Sequence, residues 1–144
     1  MIEQDRVEQR IGYKLKRAQQ ALRRAMDQAL RDLGVTTPQY AVLSFLASQP
    51  DLSNAELARR AFVTPQTMNE ILTTLEANGL IARVARPSHG RILEARLTDP
   101  ARQILAECHA RIAVVEDRMV AALNVAERDQ LANALQRCVD ALEG

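Results

Sequence analysis

Apolar residues recur at Val7, Ile11, Leu15, Ala18, Leu22, Ala29 and Leu33, in steps of three, four and seven. Such steps return to one side of a helix, so residues 7–33 read as one long amphipathic helix. Gly34 is placed to end it. Thr36 and Gln39 have capping-box spacing, with Pro38 in the first turn, and open a second helix through "YAVLSFLAS". Pro50 and Asp51 break that helix. "SNAE" is another capping box, Ser53 as cap and Glu56 reaching back, before a short helix over 54–61. Thr64 then caps a helix over 65–78 with Pro65 first, and Met68, Ile71, Leu72 and Leu75 are its buried stripe. Asn78-Gly79 closes it.

The period then changes. "IARVA" and "ILEARL" read as short strands, since Leu93, Ala95 and Leu97 alternate with Glu94 and Arg96, and "RPSHGR" lies between them as a hairpin tip. Thr98 and Pro100 start a fifth helix with a stripe of Leu105, Cys108, Ile112, Val115 and Met119. Asn124 and Glu127 cap a sixth, whose apolar face carries Leu131, Leu135, Cys138, Val139 and Leu142. The expected fold is mainly α with a small β-hairpin wing: a winged helix-turn-helix over 35–97, flanked by helical segments 1–34 and 98–144. Those flanking stripes exceed what so small a module can cover, which points to a second subunit burying them.

Composition sharpens this picture. Hydrophobic residues make up 47% of the 144 and aromatics only 3%, so the apolar content is Ala, Leu, Val and Ile, and so few aromatics argue against a stacking platform for single-stranded nucleic acid. The net charge of +1 hides a division along the chain. Lys plus Arg minus Asp plus Glu gives 8 − 5 = +3 for residues 1–34, 0 − 2 = −2 for 35–58, 6 − 3 = +3 for 59–98 and 5 − 8 = −3 for 99–144. A regional positive patch is what a polyanion feels. No apolar run reaches membrane-spanning length, the N-terminus lacks a signal core, and two cysteines suit a reducing compartment, so the expected location is cytoplasmic.

The order of motifs resembles the MarR (multiple antibiotic resistance regulator) family of transcription factors. The matching stretches are "TTPQYAVLSFLA" at 36–47, "NAELARRAFVTPQTMNEILTTLEANGLIAR" at 54–83, the wing ending in Arg91, and "LTDPAR" at 97–102. The resemblance implies an obligate homodimer, a pseudo-palindromic double-stranded DNA site, repression as the commoner outcome, and a small-molecule effector pocket between two lobes. The chain departs from the family pattern in three respects. Its wing usually carries Asp-Arg-Arg where this chain has His89, Gly90 and Arg91; its recognition helix often carries Arg where Glu70 and Thr74 stand; and Ala101 replaces a usual Gly.

On the helix over 65–78, Gln66, Thr67, Asn69 and Thr73 point away from the apolar stripe, with the chemistry to meet base edges in a major groove. Asn or Gln can bridge adenine N6 and N7, and Glu70 can accept from cytosine N4 while repelling a wrong register. The helix carries no Lys or Arg, so phosphate contacts fall to Arg59, Arg60, Arg83 and Arg86 and to the amides behind the caps Ser53 and Thr64. Arg91, with His89 at the tip of the 84–92 wing, is set to enter a minor groove. Tyr13, Arg17 and Tyr40 are candidates for a pocket taking a phenolic effector, or else ordinary interface residues.

No metal or cofactor is expected. "ECH" at 107–109 offers consecutive helical residues that do not share a face, and both cysteines fall on apolar stripes, where packing is their ordinary use. Nor does the sequence hold a Gly-rich phosphate loop, a nucleophile elbow or a catalytic His spacing, so an enzyme is not expected. The alternative to a DNA-binding regulator is a winged-helix module that binds protein, which would also account for Glu70 and Glu76.

Overall fold

The computed structural model describes residues 6–85 and 93–144. Its helices are α1 (Ile11–Leu30), α2 (Thr37–Ser48), α3 (Asn54–Arg60), α4 (Pro65–Ala77), α5 (Asp99–Met119) and α6 (Val125–Glu143), with strands β1 (Ile81–Ala85) and β2 (Leu93–Leu97) between α4 and α5. The strands pair antiparallel, from Ile81 opposite Leu97 to Ala85 opposite Leu93. The mainly helical fold with a small β wing is therefore the one the hydrophobic pattern predicts. The long first helix is not one piece. Residues Val7–Gln9 and Arg31–Leu33 form single 3-10 turns on either side of α1. Arg10 is extended and caps nothing with its side chain, so the chain enters α1 at an angle.

Sequence-encoded caps explain where the other helices begin. Thr36 Oγ1 accepts from the Gln39 amide at 3.2 Å while the Gln39 side chain accepts from the Thr36 amide at 3.0 Å. Asn124 and Glu127 make the same reciprocal pair ahead of α6. At α3 the box is half-formed: Ser53 Oγ accepts from the Glu56 amide, but it also donates to the Glu56 carboxylate, which therefore does not reach the Ser53 amide. Gly79, at φ 75°, ends α4 in the left-handed region where a side chain is disfavoured, and the Leu80 amide closes on the Leu75 carbonyl at 2.9 Å. Thr98 joins the next elements. Its hydroxyl donates to the Gly79 carbonyl at 2.7 Å and accepts from the Ala101 amide at 3.3 Å, so one side chain caps α5 and ties it to the end of α4.

Two hydrophobic clusters result. The larger gathers Val42, Leu43 and Leu46 of α2, Leu57 and Ala58 of α3, Met68, Leu72 and Leu75 of α4, Leu80, strand residues Ile81, Ala95 and Leu97, and Ala101 and Leu105 of α5. The smaller holds Leu30, Val35, Cys108 and Ile112. Tyr40 and Ile104 pack against both. Leu30, fully buried, belongs to none of the α1 positions on the periodic stripe; the stripe's N-terminal members Val7, Ile11 and Leu15 are instead exposed on the single chain. α6 buries no residue of its own, and Leu142 stands 90% exposed. Cys138 is exposed on that helix, on the stripe expected to pack against a second subunit, and among the described residues nothing buries α6.

Two ion-paired networks pin α1 to its neighbours. Asp27 accepts from Thr37 Oγ1 at the start of α2, at 2.5 Å, and from Arg23 Nε at 3.1 Å. Arg111 of α5 donates to the Ala29 carbonyl at 3.2 Å and pairs with Asp32 and Glu107.

Candidate nucleic-acid interface

The recognition unit is built on α3 and α4. Between them the chain turns through Phe62, which adopts φ 59° without being glycine and is 95% exposed. The Val63 amide closes the turn on the Ala58 carbonyl at 3.0 Å. Thr64 Oγ1 then accepts from the Thr67 amide at 3.1 Å and starts α4, with Pro65 in its first turn. Met68, Leu72 and Leu75 are buried beneath the helix. Gln66, Asn69, Glu70 and Thr73 are therefore forced outward, where the sequence puts them, and Thr67 is half-buried beside its cap.

These outward side chains differ in how free they are. Gln66 and Glu70 carry no hydrogen bond to the described residues. The Thr73 hydroxyl donates back to the Asn69 carbonyl at 2.8 Å, which leaves its methyl outermost. Asn69 Oδ1 accepts from Asn54 Nδ2 at 2.6 Å, a bond between the first position of α3 and the second turn of α4. Asn54 was not among the expected site residues. Nothing local in a sequence marks a pair fifteen residues apart on two helices.

The cations sit around this face in different states. Arg59 and Arg60 are exposed in the last turn of α3. Arg60 donates to the Gln49 side chain, so one of its N–H groups is already engaged. Arg83 on β1 is only 24% exposed and lies 3.8 Å from Glu76 Oε1, while its Nε is buried with no hydrogen bond among the described residues. Glu76, unexplained by the sequence, is thus the internal counter-charge of a strand arginine. Ser53 and Thr64 present their cap oxygens at the starts of α3 and α4. Arg86, His89 and Arg91 lie outside the described residues.

The three effector candidates are not brought together within one chain. Tyr13 and Arg17 line an open depression on α1 with Lys16, Gln20 and Arg24. Tyr40 is absent from it; its hydroxyl lies 2.7 Å from His109 Nδ1 of α5, with the two rings edge to face at 5.3 Å. Burial pushes the Tyr40 phenol above its usual range, so it is neutral at physiological pH. Burial likewise raises the Cys108 thiol, which keeps it protonated and unreactive. Among the described residues no helix is long and apolar enough to cross a membrane.

A profile of the MarR family matches residues 33–92, from the end of the first helical segment through the wing. Over 127 residues the chain is 39% identical to the HTH-type transcriptional repressor Rv2887 of Mycobacterium tuberculosis, covering 88% of this chain and 91% of that protein. The solved structure of the M. tuberculosis MarR family protein Rv2887 in complex with DNA matches with a TM-score of 0.72 and 34% identity, over 90% of this chain and 97% of that one. The same protein in complex with salicylic acid matches with a TM-score of 0.74 and 38% identity, over 90% and 96% of the two chains. An identity of this size, sustained over nine-tenths of both chains, is more than a shared fold requires, and the chain belongs to the MarR family.

Proposed function

We propose that this protein is a homodimeric, sequence-specific DNA-binding transcriptional repressor that responds to a small aromatic acid. The observation that carries the reading is the outer face of α4. Its buried stripe holds the helix rigidly while Gln66, Asn69, Glu70 and Thr73 stand exposed beside the α3 arginines. Residues 35–97 form the DNA-binding lobe, and 1–34 with 98–144 form the dimerisation lobe. The apolar faces of α1 and α6 support that division, because Val7, Ile11, Leu15, Leu131, Leu135 and Val139 lie exposed among the described residues, where a second chain would cover them. The 65–78 helix enters a major groove and the 84–92 wing a minor groove, with Arg91 inserted and His89 beside it. Base edges are met by Gln66, Thr67, Asn69, Glu70 and Thr73. Phosphates are held by Arg59, Arg60, Arg83 and Arg86 and by the amides behind Ser53 and Thr64.

Two recognition helices must sit about 34 Å apart, one turn of B-DNA, or near a multiple of it, for both half-sites to be read. A ligand wedged between the lobes changes that spacing and lowers affinity by favouring a DNA-incompetent arrangement. Its class is suggested by the salicylic acid complex of the M. tuberculosis relative and by Tyr13 beside Arg17, an aromatic ring and a cation suited to an aromatic carboxylate. Tyr40 joins such a site only if the dimer brings it there.

Selection from a random duplex pool at two salt concentrations tests the function. An enriched inverted repeat is expected. If the four arginines of both subunits contact phosphates, about eight contacts give a log–log salt slope of about −7. No enrichment at either salt, with a salt-insensitive protein partner, refutes the reading in favour of a protein-binding module.

A further inference from the structure

We infer that Asn54 fixes the hydrogen-bonding polarity of α4, making Asn69 a donor toward DNA and setting the helix to read a G·C pair. This rests on the reading of α4 as the base-contacting helix. A carboxamide offers one acceptor and one donor group side by side, and adenine is recognised when both meet its N6 and N7 together. Here Asn69 Oδ1 receives Asn54 Nδ2 at 2.6 Å, which uses one of its two lone pairs and holds the oxygen toward α3. The Asn69 Nδ2 group, with its two N–H bonds, is left on the open side. The backbone below it is held by the Thr73 hydroxyl on the Asn69 carbonyl, at 2.8 Å.

Glu70 follows directly on the helix, is exposed, and makes no hydrogen bond to the described residues. As a carboxylate it only accepts. The adjacent pair therefore presents a donor and then an acceptor. Guanine offers two acceptors in the major groove, O6 and N7, and cytosine offers the N4 amino donor. That is the complement of the Asn69–Glu70 pair, whether both bases belong to one pair or to neighbouring ones. Adenine and thymine opposite Asn69 each offer it only a single acceptor, N7 or O4, where guanine offers two, and cytosine there sets donor against donor. Asn54 acts through Asn69 and is a positioning residue, not a base contact.

The test is duplex selection with the full-length protein and four variants, with thermal melts confirming that each is folded. Asn69→Ala marks the operator position that Asn69 faces, as the one whose preference it flattens. At that position the wild type is expected to enrich guanine. Asn54→Asp supplies an acceptor where Asn54 supplies a donor. Asn69 must then donate to residue 54 and turn its oxygen outward, and the preference moves to a base with an exposed amino group, adenine or cytosine, by roughly ten-fold. Asn54→Ala frees the amide and lets adenine compete with guanine. Glu70→Gln relaxes the neighbouring cytosine preference by a similar factor. The added charge of Asn54→Asp weakens binding to every sequence, so the base ratio is the readout and not the affinity. The inference is overturned if Asn54→Asp and wild type enrich the same base, if wild type enriches adenine at the marked position, or if Asn69→Ala flattens no position. A wild type that enriches no inverted repeat overturns the DNA-binding reading itself, and this inference with it.

Discussion

Replacing Thr98 with Val removes one hydroxyl and almost no volume, so the effect isolates two bonds. In the folded chain that oxygen accepts from the Ala101 amide, capping α5, and donates to the Gly79 carbonyl, anchoring the end of α4. Loss of an N-cap costs about 1 kcal/mol. Loss of the exposed hydrogen bond to the Gly79 carbonyl costs about another 1 kcal/mol. Thr98→Val is therefore expected to destabilise by about 2 kcal/mol, while Thr98→Ser, which keeps the hydroxyl, costs about 0.5 kcal/mol. With an m value of about 2 kcal/mol/M, the urea midpoint of Thr98→Val falls by about 1 M. The three proteins must be compared at one subunit concentration, because folding of a dimer depends on it. The reasoning is refuted if Thr98→Ser falls as far as Thr98→Val, since the methyl and not the hydroxyl would then matter.

Three further outcomes follow from the same structure. Phe62→Asn should raise stability by about 0.5–1 kcal/mol, because Asn tolerates the left-handed backbone and the exposed ring has almost no burial to lose; a drop in melting temperature would refute the strain. Leu72→Ala, at the centre of the α4 stripe and 1% exposed, should cost about 3 kcal/mol in chemical denaturation, and a loss under about 1 kcal/mol would mean that α4 is not packed as described. The Thr37 hydroxyl first, and Arg23 with it, hold the Asp27 carboxyl below its ordinary value of 3.8. A carboxyl lowered in the folded state contributes stability above its unfolded pKa and loses it as pH falls through the folded one. The stability gap between wild type and Thr37→Val should therefore be constant above about pH 5 and shrink below about pH 4, as read by denaturation at a series of pH values. A gap that widens toward acid would contradict the assignment.

Local signals made most of the elements legible. Caps at Thr36, Thr64, Thr98 and Asn124, and the Asn78-Gly79 stop, are written in adjacent residues, and the helices begin and end on them. The stripe of α4 was equally plain, since three of its four members are buried. The periodicity of α1 marked an apolar face without saying which part of it meets this chain: Leu30, off the stripe, is buried, and Ile11, on it, is exposed on the single chain, as a face left for a second subunit is. Cys138 on α6 is likewise exposed on the single chain, on a stripe that no element of one chain indicates how to cover. At the interface, side-chain type separated the outer residues of α4 from the inner ones. It carried no trace of the Asn54–Asn69 bond or the Arg83–Glu76 pair, which exist only once α3, α4 and β1 are assembled. Asn69 reads from the sequence as an adenine-type amide, and no local residue signals that Asn54 bonds its oxygen.

One helix belongs to both hydrophobic clusters. α5 lends Ala101 and Leu105 to the larger and Cys108 and Ile112 to the smaller. Its 21 residues span about 30 Å, gripped by packing along one half and anchored through Arg111 to α1 on the other. A rod held this way works as a lever. A tilt of about 10° about one end carries the other by about 5 Å, more than the roughly 3.4 Å between successive base pairs. On the proposed reading of α4 as the DNA-contacting helix, a disturbance too small to unfold anything, applied where α5 meets α1, moves the far end of α5 by more than a base-pair step.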